Sequence, residues 1–265
     1  MGILNVTPDS FSDGGLFVGC DAALTQVSLM VEQGATIIDV GGESTRPGAT
    51  AVSADEEIQR VVPVIKAIRA AQRSFSDVVI SVDTSKPDVM TAALTAGASM
   101  INDVRALMAP GALEVVAKCN VPVCLMHAMG SPQTMQSNPH YVDVVTEVMA
   151  FLQDRITACI DAGIARERLI IDPGFGFGKT LQHNLELAQN LDRLGSLGLP
   201  ILVGVSRKSM FGAILDADVD QRLFASLAMT TLLLDKGASI VRTHDVAPTR
   251  DVLNVVQAMR DSAHE

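Results

Sequence analysis

Gly34-Ala-Thr-Ile-Ile-Asp-Val40 has two later counterparts, Gly97-Ala-Ser-Met-Ile-Asn-Asp-Val104 and Gly237-Ala-Ser-Ile-Val-Arg-Thr-His-Asp-Val246. Each follows an amphipathic stretch, so the glycine reads as a helix stop, the next two residues as a short turn and the apolar pair as a buried strand. Working outward, the same grammar gives apolar runs near Met1-Leu4, Thr36-Val40, Val78-Val82, Met100-Ile101, Val121-Met126, Leu169-Ile171, Ile201-Val205 and Ser239-Val241. Ala-rich amphipathic stretches lie between them, near 22–33, 54–71, 87–96, 111–118, 143–162, 183–194, 221–236 and 248–262. Ser53-Ala-Asp-Glu56 has the form of a capping box, and Gly163 reads as another helix stop. Alternation of this kind over 265 residues predicts an α/β fold, a single (β/α)8 TIM barrel, with a doubly wound open sheet as the alternative. No linker or low-complexity tract divides the chain, so 1–265 reads as one domain.

With 48% apolar and 19% charged residues, the chain can bury a full core. Neither a long apolar span nor a basic start leading into an apolar stretch is present, which predicts a cytoplasmic protein with no membrane partner. Thirty acidic against 20 basic residues give a formal charge of -10, which argues against nucleic acid as a partner. Four cysteines without a CxxC pair read as reduced thiols. Five histidines without an HExxH or a close His/Cys cluster argue against an all-protein zinc site, and a metal held partly by substrate phosphates stays open. The first strand begins at Met1, so the bottom of the barrel is left to side chains or a partner to close.

In a barrel of this type chemistry sits where strands run into the following loops. Those places carry Asn5, Gly41-Gly-Glu-Ser-Thr-Arg46, Asp83, Asn102-Asp103, His127, Asp172, Ser206-Arg-Lys-Ser209 and Arg242-Thr-His244. Singly, each has an ordinary use: Asp83 and Asp172 as loop caps or ion-pair partners, Asn102 in an Asx turn, His127 as a hydrogen-bonded rim residue. Together they converge on one mouth. Two carboxylates and an amide suit a ligand edge of N–H donors, and Lys208 would complement a ring carbonyl or nitrogen, which describes an amino-oxo heterocycle. Arg242 and His244, beside the Ser206–Ser209 group, occupy the region where such barrels often hold phosphate.

Asp172-Pro-Gly-Phe-Gly-Phe-Gly-Lys-Thr180 is neither a P-loop, because Pro173 stands where its first glycine belongs, nor a dinucleotide fingerprint, because Lys179 replaces the third glycine. It reads as a flexible loop whose backbone can approach a flat ligand, with Phe175 and Phe177 as an apolar wall or as local packing. Residues 5–15 and 45–48 are polar loops at the same mouth, candidate lids or solvated connectors.

These residues resemble the dihydropteroate synthases. The likeness runs through MGILNVTPDSFSDGG at 1–15, IIDVGGESTRPGA at 37–49, SVDTSKP at 81–87, IND at 101–103, LMH at 125–127, DPGFGFGK at 172–179, SRKS at 206–209 and RTHDV at 242–246. It implies condensation of 6-hydroxymethyl-7,8-dihydropterin diphosphate with 4-aminobenzoate, releasing diphosphate, in the step of folate biosynthesis that sulfonamides target. By motif, Asp83, Asn102, Asp172 and Lys208, with Met126 and Gly204, would hold the pterin; Asn5, Thr45, Arg242 and His244 would hold diphosphate, Asn5 also helping to place Mg2+. Phe11, Thr45, Arg46, Pro47, Phe177, Lys208 and Ser209 would shape the aminobenzoate side. Asp83, Lys208, Arg242 and His244 would be the catalytic set. The resemblance also implies a homodimer formed through the later helices, and a segment ahead of the MGILN motif at the barrel bottom.

The mechanism so implied is dissociative: the C–O bond to diphosphate breaks first, and the neutral arylamine then attacks a pterin-stabilised cation. Such chemistry needs charge stabilisation at the leaving group more than a strong base, consistent with a site without a triad. Pterin-binding barrels that feed methyl transfer to a corrinoid share the Asp/Asn/Asp clamp, and a non-catalytic pterin carrier is the binding-module reading. Neither needs the SRKS and RTHDV groups together with the first-loop motif.

Overall fold

A computed structural model describes residues 1–6, 15–44, 51–71, 75, 77–130 and 139–262, with 15–19 described by backbone alone. Its strands are β1 (Gly2–Asn5), β2 (Ile37–Gly41), β3 (Val79–Asp83), β4 (Met100–Asp103), β5 (Val123–Met126), β6 (Leu169–Asp172), β7 (Ile201–Val203) and β8 (Ala238–Val241). They neighbour one another in sequence order and every pairing is parallel. Just past β8, Thr243 bridges to Gly2, and its N–H donates to the Met1 carbonyl at 2.9 Å, which joins the two edges. A doubly wound sheet would shuffle the strand order, so the topology selects the TIM barrel.

The α-helices are α1 (Gly15–Glu32), α2 (Ala54–Ala70), α3 (Pro87–Ala96), α4 (Ala112–Ala117), α5 (Val144–Asp161), α6 (Leu181–Gln189), α7 (Leu191–Leu194), α8 (Ser209–Leu215), α9 (Leu223–Asp235) and α10 (Val246–Ser262). The repeat glycines Gly34, Gly97 and Gly237 have φ of 95°, 114° and 98°, the left-handed conformation that ends a helix and turns the chain into the next strand. Ser53 caps α2 by accepting the Glu56 N–H at 3.2 Å, an interaction worth about 1 kcal/mol. The reciprocal half of the expected capping box is replaced, because the Glu56 carboxylate pairs with Arg60 one turn on.

Strand alternation sorts the side chains into two cores. Ile38, Val40, Ile80, Val82, Val123, Leu125, Ile171 and Val203 face outward and pack under the helices. Met100, Cys124, Ile170 and Leu202 face inward as a separate cluster, with Met1, Ile37, Val79 and Ile240 packed against it, so side chains fill the lower barrel. Above that plug the inward positions turn polar, beginning with Asp39 and Ser81, paired in register and both fully buried.

Four differences from the sequence reading have local causes. Strands β2, β3 and β6 run on through Gly41, Asp83 and Asp172, because inward positions at the mouth face the pocket and need not be apolar, and β4 runs on through inward Asn102 to Asp103, which lies on the outer face and accepts the Arg105 and Leu107 N–H groups. The helix expected at 183–194 is broken at Asn190 (φ -117°, ψ 23°) into α6 and α7. Helix α1 starts earlier than the 22–33 expected, and α8 arises within a stretch read only as a polar strand end.

Candidate active site

Parallel register sets the polar residues side by side: Asn5 pairs with Gly41, Gly41 with Asp83, Asp83 with Asn102, and Met126 with Asp172. Asp83, Asn102, Met126 and Asp172 are all buried at the upper rim of the barrel. Gly204 follows β7, and a Cβ added there would meet nothing nearer than Arg242 Cβ at 3.8 Å. Packing alone would accept alanine, so the glycine leaves open floor beside Arg242.

Arg242 anchors one side of this layer. Its Nε donates to Asp39 Oδ2 at 2.6 Å and its Nη2 to Asp83 Oδ2 at 2.8 Å, while Asn102 Nδ2 donates to Asp39 Oδ2 at 3.0 Å. The residue expected to bind diphosphate is thus tied to two acids through Nε and Nη2. Asp39 lies two residues before the β2 end, and reading strand ends alone misses it. The missed signal is an acid inside the apolar run Ile37-Ile-Asp-Val40, which a buried strand tolerates only with a partner. Burial pushes the Asp83 carboxyl up to about 7, with Arg242 opposing and the acids Asp39, Glu57 and Asp103 adding. Among the described residues, Asp39 Oδ1, Ser81 Oγ and Asp83 Oδ1 have no hydrogen-bond partner. Orphaned acceptors at the pocket floor are what a ring with N–H donors would satisfy.

Across the mouth, burial raises Asp172 to about 6; the Gly174 N–H at Oδ1, 2.7 Å away, and then Lys208 work against it. Lys208 is lowered to about 8, first by burial and then by Arg242. Its Nζ lies 4.3 Å from the centroid of the Phe177 ring, a cation–π contact. Phe175 is instead buried in the outer core, so one phenylalanine of the loop is packing and the other is wall.

That loop is held from several sides, where the sequence suggests flexibility. Gly176 N donates to Asn184 Oδ1 at 2.7 Å, Tyr141 OH to the Gly178 carbonyl at 2.9 Å, and buried Lys179 to the Gly174 carbonyl at 2.9 Å. Gly174 (φ 70°) passes so close to the His127 carbonyl that an added Cβ would lie 1.8 Å from it. His127 is the rim residue its plainer reading gave. Its Nδ1 lies 2.9 Å from Lys179 Nζ, and burial with that neighbouring charge drives its pKa down to about 3, so the ring is neutral.

At the expected diphosphate end, Ser206 Oγ accepts the His244 N–H at 3.2 Å and lies 3.0 Å from His244 Nδ1. Either the hydroxyl or Nδ1 can be the donor of that contact, according to the imidazole tautomer. Arg207 pairs with Asp245 and faces solvent, and Ser209 is exposed at the start of α8. Asn5 ends β1, and a Cβ on Gly41 would sit 3.7 Å from its Oδ1 and 3.8 Å from Asp83 Oδ2, so the amide oxygen is at the same mouth. Phe11, Thr45, Arg46 and Pro47 lie outside the described residues. The stem of that second loop is tied down, because Glu43 accepts the Val52 N–H at 2.9 Å, and Lys86 bridges Glu43 and buried Glu57 at 2.6 and 2.5 Å.

Residues 1–244 match the family of pterin binding enzymes. The dihydropteroate synthase of Haemophilus influenzae is 56% identical over 258 residues, covering 97% of this chain and 92% of that one. The Escherichia coli K12 dihydropteroate synthase is 53% identical over 258 residues, covering 97% and 90%. Among solved structures, the Yersinia pestis dihydropteroate synthase with a sulfonamide drug complex superposes with a TM-score of 0.92 at 52% identity, covering 98% of this chain and 94% of that one. The Xanthomonas albilineans dihydropteroate synthase in complex with 7,8-dihydropteroate gives 0.87 at 48% identity, covering 98% and 92%.

Proposed function

This chain belongs to the pterin-binding enzymes and within them to the dihydropteroate synthases, and we propose from that premise how its barrel mouth works. The reaction condenses 6-hydroxymethyl-7,8-dihydropterin diphosphate with 4-aminobenzoate to give 7,8-dihydropteroate and diphosphate, a step of folate biosynthesis that sulfonamides target. One observation carries the assignment of roles: Asp83, Asn102 and Asp172 are buried in one layer with Lys208 and Arg242, and within it Asp83 Oδ1 is an acceptor that no described residue fills. The pterin's amino and ring N–H groups would meet Asp83 and Asp172, its carbonyl Lys208, and its flat face the open floor at Gly204. Met126 and Asn102 close the sides.

When the C–O bond breaks, its electron pair leaves with diphosphate and positive charge spreads from the methylene into the ring. Asp83 and Asp172 would stabilise that charge, and the His244 imidazole with the Arg242 guanidinium would stabilise the departing diphosphate. The arylamine lone pair then forms the C–N bond, and the nitrogen releases a proton. Asn5 fits Mg2+ in one respect, as a single neutral oxygen donor suits an ion brought in largely by substrate phosphates. Mg2+ held by Asn5 and diphosphate would draw off the leaving group's negative charge. Phe177, Lys208 and Ser209 bound the aminobenzoate side within the described residues. The test is product formation: dihydropteroate by mass, with one diphosphate released per product, in the presence of Mg2+. Diphosphate release that ignores added arylamine, or pterin binding without turnover, would favour the other barrel functions.

Residues 1–265 act here as one barrel domain, without nucleic acid. Among the described residues no helix is long and apolar enough to cross a membrane, and we assign the protein to the cytoplasm. A homodimer is supported by α9, where Phe224 is 80% exposed in a stripe with Leu232, beside exposed Val255 and Met259 on α10. Phe224→Glu is expected to turn a dimer into a monomer in sedimentation equilibrium; an unchanged mass would place the interface elsewhere.

The carboxylates also set a pH dependence. Protonating Asp83 or Asp172 replaces an acceptor with a donor, so kcat/KM for the pterin substrate should fall on the acid side through about pH 7 to 6. Above about pH 8 Lys208 loses its charge and the rate falls again. A profile flat between pH 5 and 9 would contradict these roles.

A further inference from the structure

We infer that Lys179 is a positioning residue for the aminobenzoate side, acting through Phe177 without touching either substrate. Lys179 is only 3% exposed and lies inside a site whose pterin clamp does not use it. Its ammonium has three N–H donors and three acceptors within reach, the Gly174 carbonyl at 2.9 Å, the Phe177 carbonyl at 3.2 Å and His127 Nδ1 at 2.9 Å. An ammonium so surrounded has no donor left for a ligand.

The grip falls on one turn. Phe177 N donates to the Gly174 carbonyl at 3.1 Å, and Lys179 holds that same carbonyl together with Phe177's own. Asn184 and Tyr141 hold the neighbouring Gly176 and Gly178; of these anchors only Lys179 bonds Phe177 itself. The three glycines have φ of 70°, 78° and 63°, so the turn packs few side chains of its own and relies on hydrogen bonds for its shape. Fixing it places the Phe177 ring against Lys208 Nζ, and a Cβ on Gly176 would come within 3.2 Å of Lys208 Cδ. Burial, partly offset by Asp172, brings the Lys179 pKa down to about 7, so the full three-donor grip belongs to the protonated form and is complete on the acid side of neutrality.

The inference rests on the reading that Phe177 bounds the aminobenzoate side. Lys179→Met, with Lys179→Gln as a milder variant that keeps an N–H donor, should raise KM for 4-aminobenzoate about tenfold. The Kd for dihydropterin diphosphate, measured by calorimetry, should change less than about twofold, and kcat less than about threefold. Phe177→Ala alone should raise the same KM, and adding Lys179→Gln to it should have little further effect, because both act through one contact. A merely structural lysine would multiply the two effects, or weaken both substrates alike; either result overturns the inference while leaving the role of Phe177 intact. A silent Phe177→Ala would overturn both.

Discussion

Asp172→Asn is expected to lower kcat/KM for dihydropterin diphosphate about a thousandfold while leaving the fold intact. The two parts have different causes. Asp172 Oδ1 accepts the Gly174 N–H at 2.7 Å and so fixes the start of the glycine-rich loop. An asparagine can keep its carbonyl oxygen there, so the loop stays anchored. The other side of the group changes from a carboxylate oxygen to an NH2, which cannot accept from a ring N–H and meets it donor to donor. A charge-assisted hydrogen bond is worth about 1.5–3 kcal/mol, and leaving a buried donor unpaired costs about 1–3 kcal/mol more, which together reach about three orders of magnitude. Lys208 also loses a nearby counter-charge. Thermal melting at neutral pH should not fall and should rise, because the amide removes a carboxylate that burial holds above its ordinary pKa, while calorimetric affinity for the pterin diphosphate should fall in step with kcat/KM. A variant within tenfold of the parent would remove Asp172 from the clamp.

The acid limb offers a second reading of the same variant. Asp172 sits near 6 and Asp83 near 7, both raised chiefly by burial. With Asp172 gone, what activity remains should show only the limb that belongs to Asp83.

Most of the barrel is legible in the sequence because its signals are local. Helix stops such as Gly34, Gly97 and Gly237 and short apolar runs depend on neighbours within a few residues, and the structure realises them in order. The mouth is legible by the same token, since a polar residue ending an apolar run is visible without knowing its partner. Asp39 and Lys179 are harder, because each is explained only by a contact far away in the chain. Asp39 is buried against Asn102 and Arg242, 63 and 203 residues off. Lys179 meets His127 across 52 residues. The clue for Asp39 was its presence in a run otherwise fit for a core. Lys179 stands inside a glycine-rich stretch, where nothing local distinguishes a buried lysine from one that faces a ligand. The break at Asn190 and the extra helix α8 arise in stretches whose apolar spacing suits more than one local structure.

Arg242→Met is expected to destabilise the protein by about 3–5 kcal/mol, a fall in Tm of about 10 °C, and to abolish turnover. The guanidinium holds Asp39 at 2.6 Å and Asp83 at 2.8 Å, and removing it leaves two carboxylates close together and almost out of water. Breaking a buried ion pair costs more than the pair contributed, because the surviving charge keeps its desolvation penalty. The loss should therefore depend on pH. Without Arg242, which now holds its pKa down, Asp83 should rise above about 7. A carboxylate whose folded pKa is raised binds protons more readily folded than unfolded. Its drain on stability is absent below the unfolded pKa near 4 and grows as pH rises to the folded value. The variant should accordingly recover much of its lost stability on going from pH 8 to pH 5. Adding Asp39→Asn should also restore stability at pH 8, because one of the two stranded charges is gone, though turnover should stay lost with the cation. If the double variant melts no higher than Arg242→Met alone, the cost lies in lost packing of the arginine stem rather than in uncompensated charge. If it melts higher, Arg242 is the counter-ion that lets this barrel keep Asp39 and Asp83 buried beneath its substrate.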